Sequence, residues 1–201
     1  LVGMPIQVLS TDVIGKILEG GNAVCRAAGI SIAGGHTIDS VEAIYGLVAL
    51  GLVHPQKVKR NADARVCDRL VLGKPLGVGV LSAALKKDQL SPEAYAQMLA
   101  TTTRLNTPGP ELAAIDGVHA LTDVTGFGLL GHAREMALGA QLRARIQFSS
   151  VPLLAGVEQL AADGFVTGAS ARNWAGYQHD VQLDAAITPL KQALLCDPQT
   201  S

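Results

Sequence analysis

The sequence predicts an α+β protein in which mixed sheets are packed with helices, and three observations carry that expectation. Apolar residues recur at helical spacing behind clear capping residues, short apolar or alternating runs between them read as strands, and a charged, aperiodic stretch from Lys57 to Arg69 divides the chain. With 201 residues, 48% of them hydrophobic and 16% charged, there is enough chain for one large or two small cores.

The elements follow in order. Ser10 or Thr11 can cap a helix that carries Val13, Ile14, Ile17, Leu18, Val24 and Cys25 on one face, with Gly29 as its stop. Ser31 to Ala33 reads as a short strand running into Gly34-Gly35-His36-Thr37, and Ile44 to Val53 reads as a buried strand. The polar stretch that opens at His54-Pro55 marks a domain boundary, which puts residues 1–54 in one part and 55–201 in the other. Leu70 to Leu72 reads as a strand, after which Lys74-Pro75-Leu76-Gly77 turns into a helix. Ser91 as N-cap and Pro92 at the first helical position start another helix, stopped by Pro108 and Pro110. A short helix over Glu111 to Ile115 leads to a strand over Val118 to Thr122, and a helix opens at Gly128. Leu142 to Phe148 alternates as a half-buried strand, and Val157 to Ala162 reads as a helix. Residues 164–178, with three glycines, read as a loop holding Arg172, Asn173 and Trp174, before Thr188-Pro189 starts the last helix.

Composition excludes several function classes. A net charge of −1 with 3% aromatic residues leaves no basic stripe for a phosphate backbone and few rings for stacking bases, so no nucleic-acid partner is expected. The longest apolar run, Ala43 to Val53, contains Gly46 and Gly51 and is too short to cross a bilayer, so no membrane role is expected either. Cys25, Cys67 and Cys196 are odd in number and far apart, which suits neither a disulfide framework nor a zinc site and fits a reducing cytoplasm. The chain opens without methionine inside an apolar phrase and stops just after Cys196-Asp197-Pro198-Gln199-Thr200, so the expectation is a fragment.

The stretch Thr122-Asp123-Val124-Thr125-Gly126-Phe127-Gly128-Leu129-Leu130-Gly131-His132 is the strongest candidate site. It spans a strand end, a tight turn and a helix start. Gly126 and Gly128 let backbone N–H groups approach an anion at the positive end of the helix, with Thr125 in the same turn. Asp123 beside it is suited to magnesium, which commonly takes one or two protein carboxylates and fills its other positions with water and phosphate oxygens. On the residues alone Asp123 could equally N-cap the helix. Gly34-Gly35-His36-Thr37 offers flexible amides, an imidazole and a hydroxyl to a polar ligand, or is simply a turn. Lys74 could meet a phosphate, although a solvated surface lysine is the plainer reading.

Four phrases in fixed order, Gly34 to Asp39, Lys74 to Gly77, Thr122 to His132 and Asp197 to Ser201, resemble the selenide, water dikinases, or selenophosphate synthetases. The resemblance covers nearly the whole chain. It implies a two-domain fold of the aminoimidazole ribonucleotide synthetase superfamily, with residues 1–54 as the second half of the N-terminal, dimerising, ATP-binding domain and 55–201 as most of the C-terminal one. The implied reaction turns ATP, selenide and water into selenophosphate, AMP and orthophosphate. By position Asp123 matches a family magnesium ligand, and Gly34, Gly35, His36 and Thr37 match a segment that contacts nucleotide across a homodimer. The family's Cys or selenocysteine and its Lys would precede residue 1, so the 201-residue chain alone is expected to be inactive. Two alternatives stay open: another ATP-using member of the superfamily, and a non-catalytic nucleotide-binding or dimerisation module.

Overall fold

The computed structural model describes residues 1–199, and Thr200 and Ser201, which end the fourth phrase, lie outside the described residues. The chain forms two compact units, Leu1–Gln56 and Lys57–Ser201. No helix among the described residues is long and apolar enough to cross a membrane.

The first unit is a strand–helix–strand arrangement. Strand β1 (Val2–Met4) leads into helix α1 (Thr11–Ala27), which returns the chain so that β2 (Thr37–Asp39) lies parallel to β1, the crossover that a parallel pair requires. Strand β3 (Ile44–Tyr45) pairs antiparallel on the other side, giving a mixed sheet in the order β2-β1-β3. Ser10 caps α1, its hydroxyl accepting from the Val13 amide, and Met4 and Cys25 are the buried apolar side chains of this unit. Gly21 lies under the Tyr45 ring, where a Cβ would fall on the phenol hydroxyl.

Two expected strands differ here. Ser31 to Ala33 takes no strand pairing, and the parallel strand forms later, over Thr37–Asp39. The apolar run 44–53 pairs only through Tyr45 and, by backbone bonds between Gly46 and Leu1, one residue further; Val48, Leu50 and Leu52 are exposed. A strand needs a ladder partner as well as apolar residues, and β1 is three residues long.

The second unit is built of helices. Helix α2 (Val78–Leu85) is its centre, with Val78, Val80, Leu81 and Ala84 all buried. Against it pack α3 (Pro92–Thr102) through Met98 and α6 (Val157–Ala162) through Val157 and Ala161, and α8 (Pro189–Leu195) joins the same core through Leu194. Each large side chain so buried contributes roughly 1.5–3 kcal/mol of transfer free energy. Gly77, at φ +125°, admits this packing, because a Cβ there would run into Val157. A second cluster joins Leu130 of α5 (Gly128–Gly139), Tyr177 of α7 (Gly168–Tyr177), and Leu195 and Cys196 at the end of α8. Short α4 (Gly109–Ala114) links α3 to the stretch before α5.

The strands expected over 70–72, 118–122 and 142–148 are not formed; in this unit, among the described residues, strand-like pairing is confined to a parallel bridge between Leu76 and Leu153. Residues 164–178 depart the other way, Gly168–Tyr177 forming a helix rather than a loop. Gly164, at φ +93°, ends the preceding turn, and Thr167 then caps α7 by accepting from the Ser170 amide at 3.1 Å. The glycines there flank or line a helix whose start signal is the threonine.

Candidate functional site

The Asp123 segment enters α5 through an irregular stretch. Helix α5 begins at Gly128, its N-cap position is Phe127, and no side chain caps it, so Asp123 stands outside the helix and is not its cap. Asp123 also follows irregular chain rather than the expected strand. Among the described residues its exposed carboxylate has no hydrogen-bond or ion-pair partner, and no group of three or more His, Cys, Asp or Glu could hold a metal ion. One free hard-oxygen donor fits a magnesium ion that keeps water and phosphate oxygens in its other positions, with Asp123 as a single ligand.

The two glycines of the turn differ in what holds them. Gly128 has φ +70°, and a Cβ there would sit 2.6 Å from the Cys196 carbonyl carbon and 3.0 Å from the Asp197 oxygen, so the fold itself requires glycine. Gly126 does not have positive φ, and an added Cβ would meet nothing within 4 Å. The turn's carbonyls are all engaged. Thr125 O accepts from the Gly128 amide at 3.1 Å and the Gln199 amide at 2.9 Å, Gly126 O from Asn173 Nδ2 at 2.8 Å, and Phe127 O from the Tyr177 hydroxyl at 2.9 Å. Below the turn, buried His132 places Nε2 3.2 Å from Thr125 Oγ1, and its Nδ1 lies 3.8 Å from Glu135, which accepts from Asn61 Nδ2 at 2.9 Å.

Three of the four phrases meet in this unit. Asp197 and Gln199 are buried and reach the start of α2 as well as the Asp123 turn. Gln199 Oε1 accepts from the Gly77 and Val78 amides, both at 3.2 Å, and Asp197 Oδ2 accepts from Gly79 at 3.0 Å and from Val80 at 3.4 Å. These are the orphan amides at the helix start, satisfied by residues about 120 positions away in sequence. Gln199 Nε2 also donates to Asp197 Oδ2 at 3.0 Å. Burial outweighs these donors, which favour the charged form, and pushes the Asp197 carboxyl up to about 6. Lys74, expected as a solvated surface lysine, is half-buried and donates to the Arg104 carbonyl at 2.6 Å; burial and then Arg104 lower its pKa.

The fourth phrase lies in the first unit, where Gly34, Gly35, His36 and Thr37 are all exposed. The His36 carbonyl accepts from the Val2 amide at 3.0 Å, and Thr37 starts β2. Neither glycine has positive φ, and a Cβ at either would meet nothing within 4 Å. The fold does not demand them. Cys25 and Cys196 are buried, with burial raising the Cys196 thiol, and Cys67 is exposed at φ +74°.

The family model for "AIR synthase related protein, C-terminal domain" matches residues 66–173, more than half of the chain, and the N-terminal-domain model of the same family matches residues 2–53. The chain belongs to the AIR synthase related family. Asp123 and its turn lie inside the C-terminal-domain match, and Gly34 to Thr37 lie inside the N-terminal one. Over all 201 residues the chain is similar to proteins named selenide, water dikinase: 67% identical to that of Burkholderia orbicola (strain MC0-3), 63% to that of Pseudomonas straminea and 53% to that of Rhizobium meliloti (strain 1021). It spans 57%, 56% and 58% of those relatives' lengths. An α+β family fold and relatives of the kinase type agree with the expectations drawn from the four phrases.

Sequence reasoning missed Asn173 as a partner of the glycine turn, along with Tyr177. Asn173 and Tyr177 are four residues apart on α7, so one helix face presents both, but the supposed loop over 164–178 hid that periodicity.

Proposed function

We propose that the protein of which this chain is a part makes selenophosphate, with ATP, selenide and water giving selenophosphate, AMP and orthophosphate. The observation that carries this is whole-length similarity of 53–67% to selenide, water dikinases, joined to an unpartnered carboxylate beside a glycine turn. In this reading magnesium, when bound, screens phosphate charge, and Asp123 supplies one of its oxygen ligands. The chain's own contribution is positioning and electrostatics. The Gly126 and Phe127 amides donate to phosphate oxygens, and the start of α5 adds the positive end of its dipole. Gly34 to Thr37 contact the nucleotide across a homodimer. A homodimer in the cytoplasm, with no nucleic-acid or membrane partner, completes the proposal.

The test uses the intact natural protein with ATP, Mg²⁺ and selenide under anaerobic conditions, followed by ³¹P NMR. AMP and orthophosphate should form in equal amounts and only with selenide. Asp123→Ala should lower kcat/KM by about 100-fold, the scale of losing an electrostatic contact to a transferring phosphoryl group. Its melting temperature should stay within about 1 °C of the parent's, since an exposed, unpartnered carboxylate holds nothing together. Selenide-independent ADP formation, or full activity in Asp123→Ala, would overturn the reading.

A further inference from the structure

The peptide planes of the turn carry an inference beyond the named family residues. In a trans peptide the C=O and the following N–H point in opposite directions. Thr125 O and Gly126 N share one plane, and Gly126 O and Phe127 N share the next. The first carbonyl is held by the Gln199 amide at 2.9 Å and the second by Asn173 Nδ2 at 2.8 Å. Neither the Gly126 nor the Phe127 amide has an acceptor among the described residues. Fixing the two carbonyls toward α7 and the Gln199 strap therefore turns the two amides the other way.

We propose that Asn173 is a positioning residue that sets the polarity of the Gly126–Phe127 peptide, its carbonyl held by the protein and the Phe127 amide presented to the phosphates; the proposal rests on the nucleotide reading above. The need for such a device follows from Gly126. A glycine with open space around it can flip its peptide at little cost, and a flip would swing a carbonyl oxygen toward the phosphates and withdraw the Phe127 amide. Asn173 opposes the flip directly. It also donates to Cys196 O at 3.1 Å, which ties the turn to the end of α8. Tyr177 is buried, and its hydroxyl holds Phe127 O at 2.9 Å in the next peptide plane, whose Gly128 amide is bonded to Thr125 O, so it braces the point where the turn becomes helix. That hydroxyl is held protonated, burial raising its pKa far above the ordinary range, so it is a permanent donor.

The experiment measures binding of a non-hydrolysable Mg·ATP analogue and of AMP to the intact natural protein by calorimetry, with melting temperatures alongside. Asn173→Leu, close in size and lacking the donor, should weaken the analogue at least tenfold. Tyr177→Phe should weaken it about threefold. AMP affinity should stay within twofold in both, because a general loosening would weaken both ligands alike, whereas misdirected amides penalise the triphosphate. Analogue affinity within twofold of the parent in Asn173→Leu, or equal losses for analogue and AMP, would overturn the proposal. If Asn173→Leu does not fold, Asn173→Ala, which also lacks the donor, decides by the same ratio. Asp123→Asn and Gly126→Val separate the two levels: if both bind the analogue like the parent, the nucleotide reading fails and this proposal with it. If both are weakened while Asn173→Leu is not, the positioning role alone fails.

Discussion

The two glycine turns that dominate the sequence are held in opposite ways. Around Gly126 and Gly128 every carbonyl of the turn has a donor from a remote segment, and Gly128 is pressed against the backbone of Cys196 and Asp197. Around Gly34 and Gly35 the residues are exposed, the added-Cβ space is open, and neither φ is positive. One turn is specified by the fold before any ligand arrives, whereas the other has no internal reason to be glycine. A sequence pattern with two similar glycine pairs thus conceals different physical demands, a steric one at Gly128 and none from within the fold at Gly34 or Gly35.

The largest effect expected from this contrast is at Gly128. Gly128→Ala adds a Cβ at positive φ and 2.6 Å from a backbone carbon, and should destabilise the unit by about 3 kcal/mol or more, read as a lower denaturant midpoint. An unchanged midpoint would mean that the α8 end is not packed against this turn.

Next comes Asp197, the titratable member of the strap. Its carboxyl is raised to about 6 in the folded chain from an ordinary value near 3.8, so the folded state holds the proton more tightly than the unfolded one. The resulting stability is fully present below about pH 4 and is lost as pH rises through about 6, an effect of about 2–3 kcal/mol. Asp63 and Asp68 are shifted the other way, by the Arg60 side chain and by the Arg65 amide respectively, so the parent's total profile mixes both signs. The comparison is therefore with Asp197→Asn, whose stability relative to the parent should rise between pH 4 and pH 7. A constant difference across that range would show that Asp197 does not titrate there.

A smaller effect is expected beneath the turn. His132→Ala removes the partner of Thr125 Oγ1 and leaves a gap in the helix face, costing about 1–2 kcal/mol in thermal unfolding. The smallest is the counterpart of Gly128→Ala in the other turn. Gly35→Ala should change stability by less than about 0.5 kcal/mol, as at any open site, while Gly35→Val should still impair nucleotide binding if a ligand approaches that backbone.

How much of this was legible follows from where each signal resides. Ser10, Ser91, Thr167 and Thr188 accept from amides at the starts of their helices, and three of the four starts were readable because a local hydroxyl and the following turn suffice. Strands were read less well: 118–122 and 142–148 carry the right side chains, but pairing depends on a partner that no local window contains. The site shows the same division. Asp123 and its glycines stood out in one phrase, whereas the strap from Asp197 and Gln199 to the start of α2 joins residues about 120 apart and is invisible to spacing. Phrase order pointed to the family; contacts showed which phrases touch.

The contrast between the two turns, together with the proposal that each contacts nucleotide, is tested most directly by hydrogen–deuterium exchange on the intact natural protein with and without a non-hydrolysable Mg·ATP analogue. Without the analogue the amides of both Gly34 to Thr37 and Gly126 to Phe127 should exchange fast, and the analogue should slow both segments. Asp123→Asn should reduce the protection at Gly126 and Phe127. Protection confined to other parts of the protein, with both turns exchanging as freely as before, would contradict that proposal.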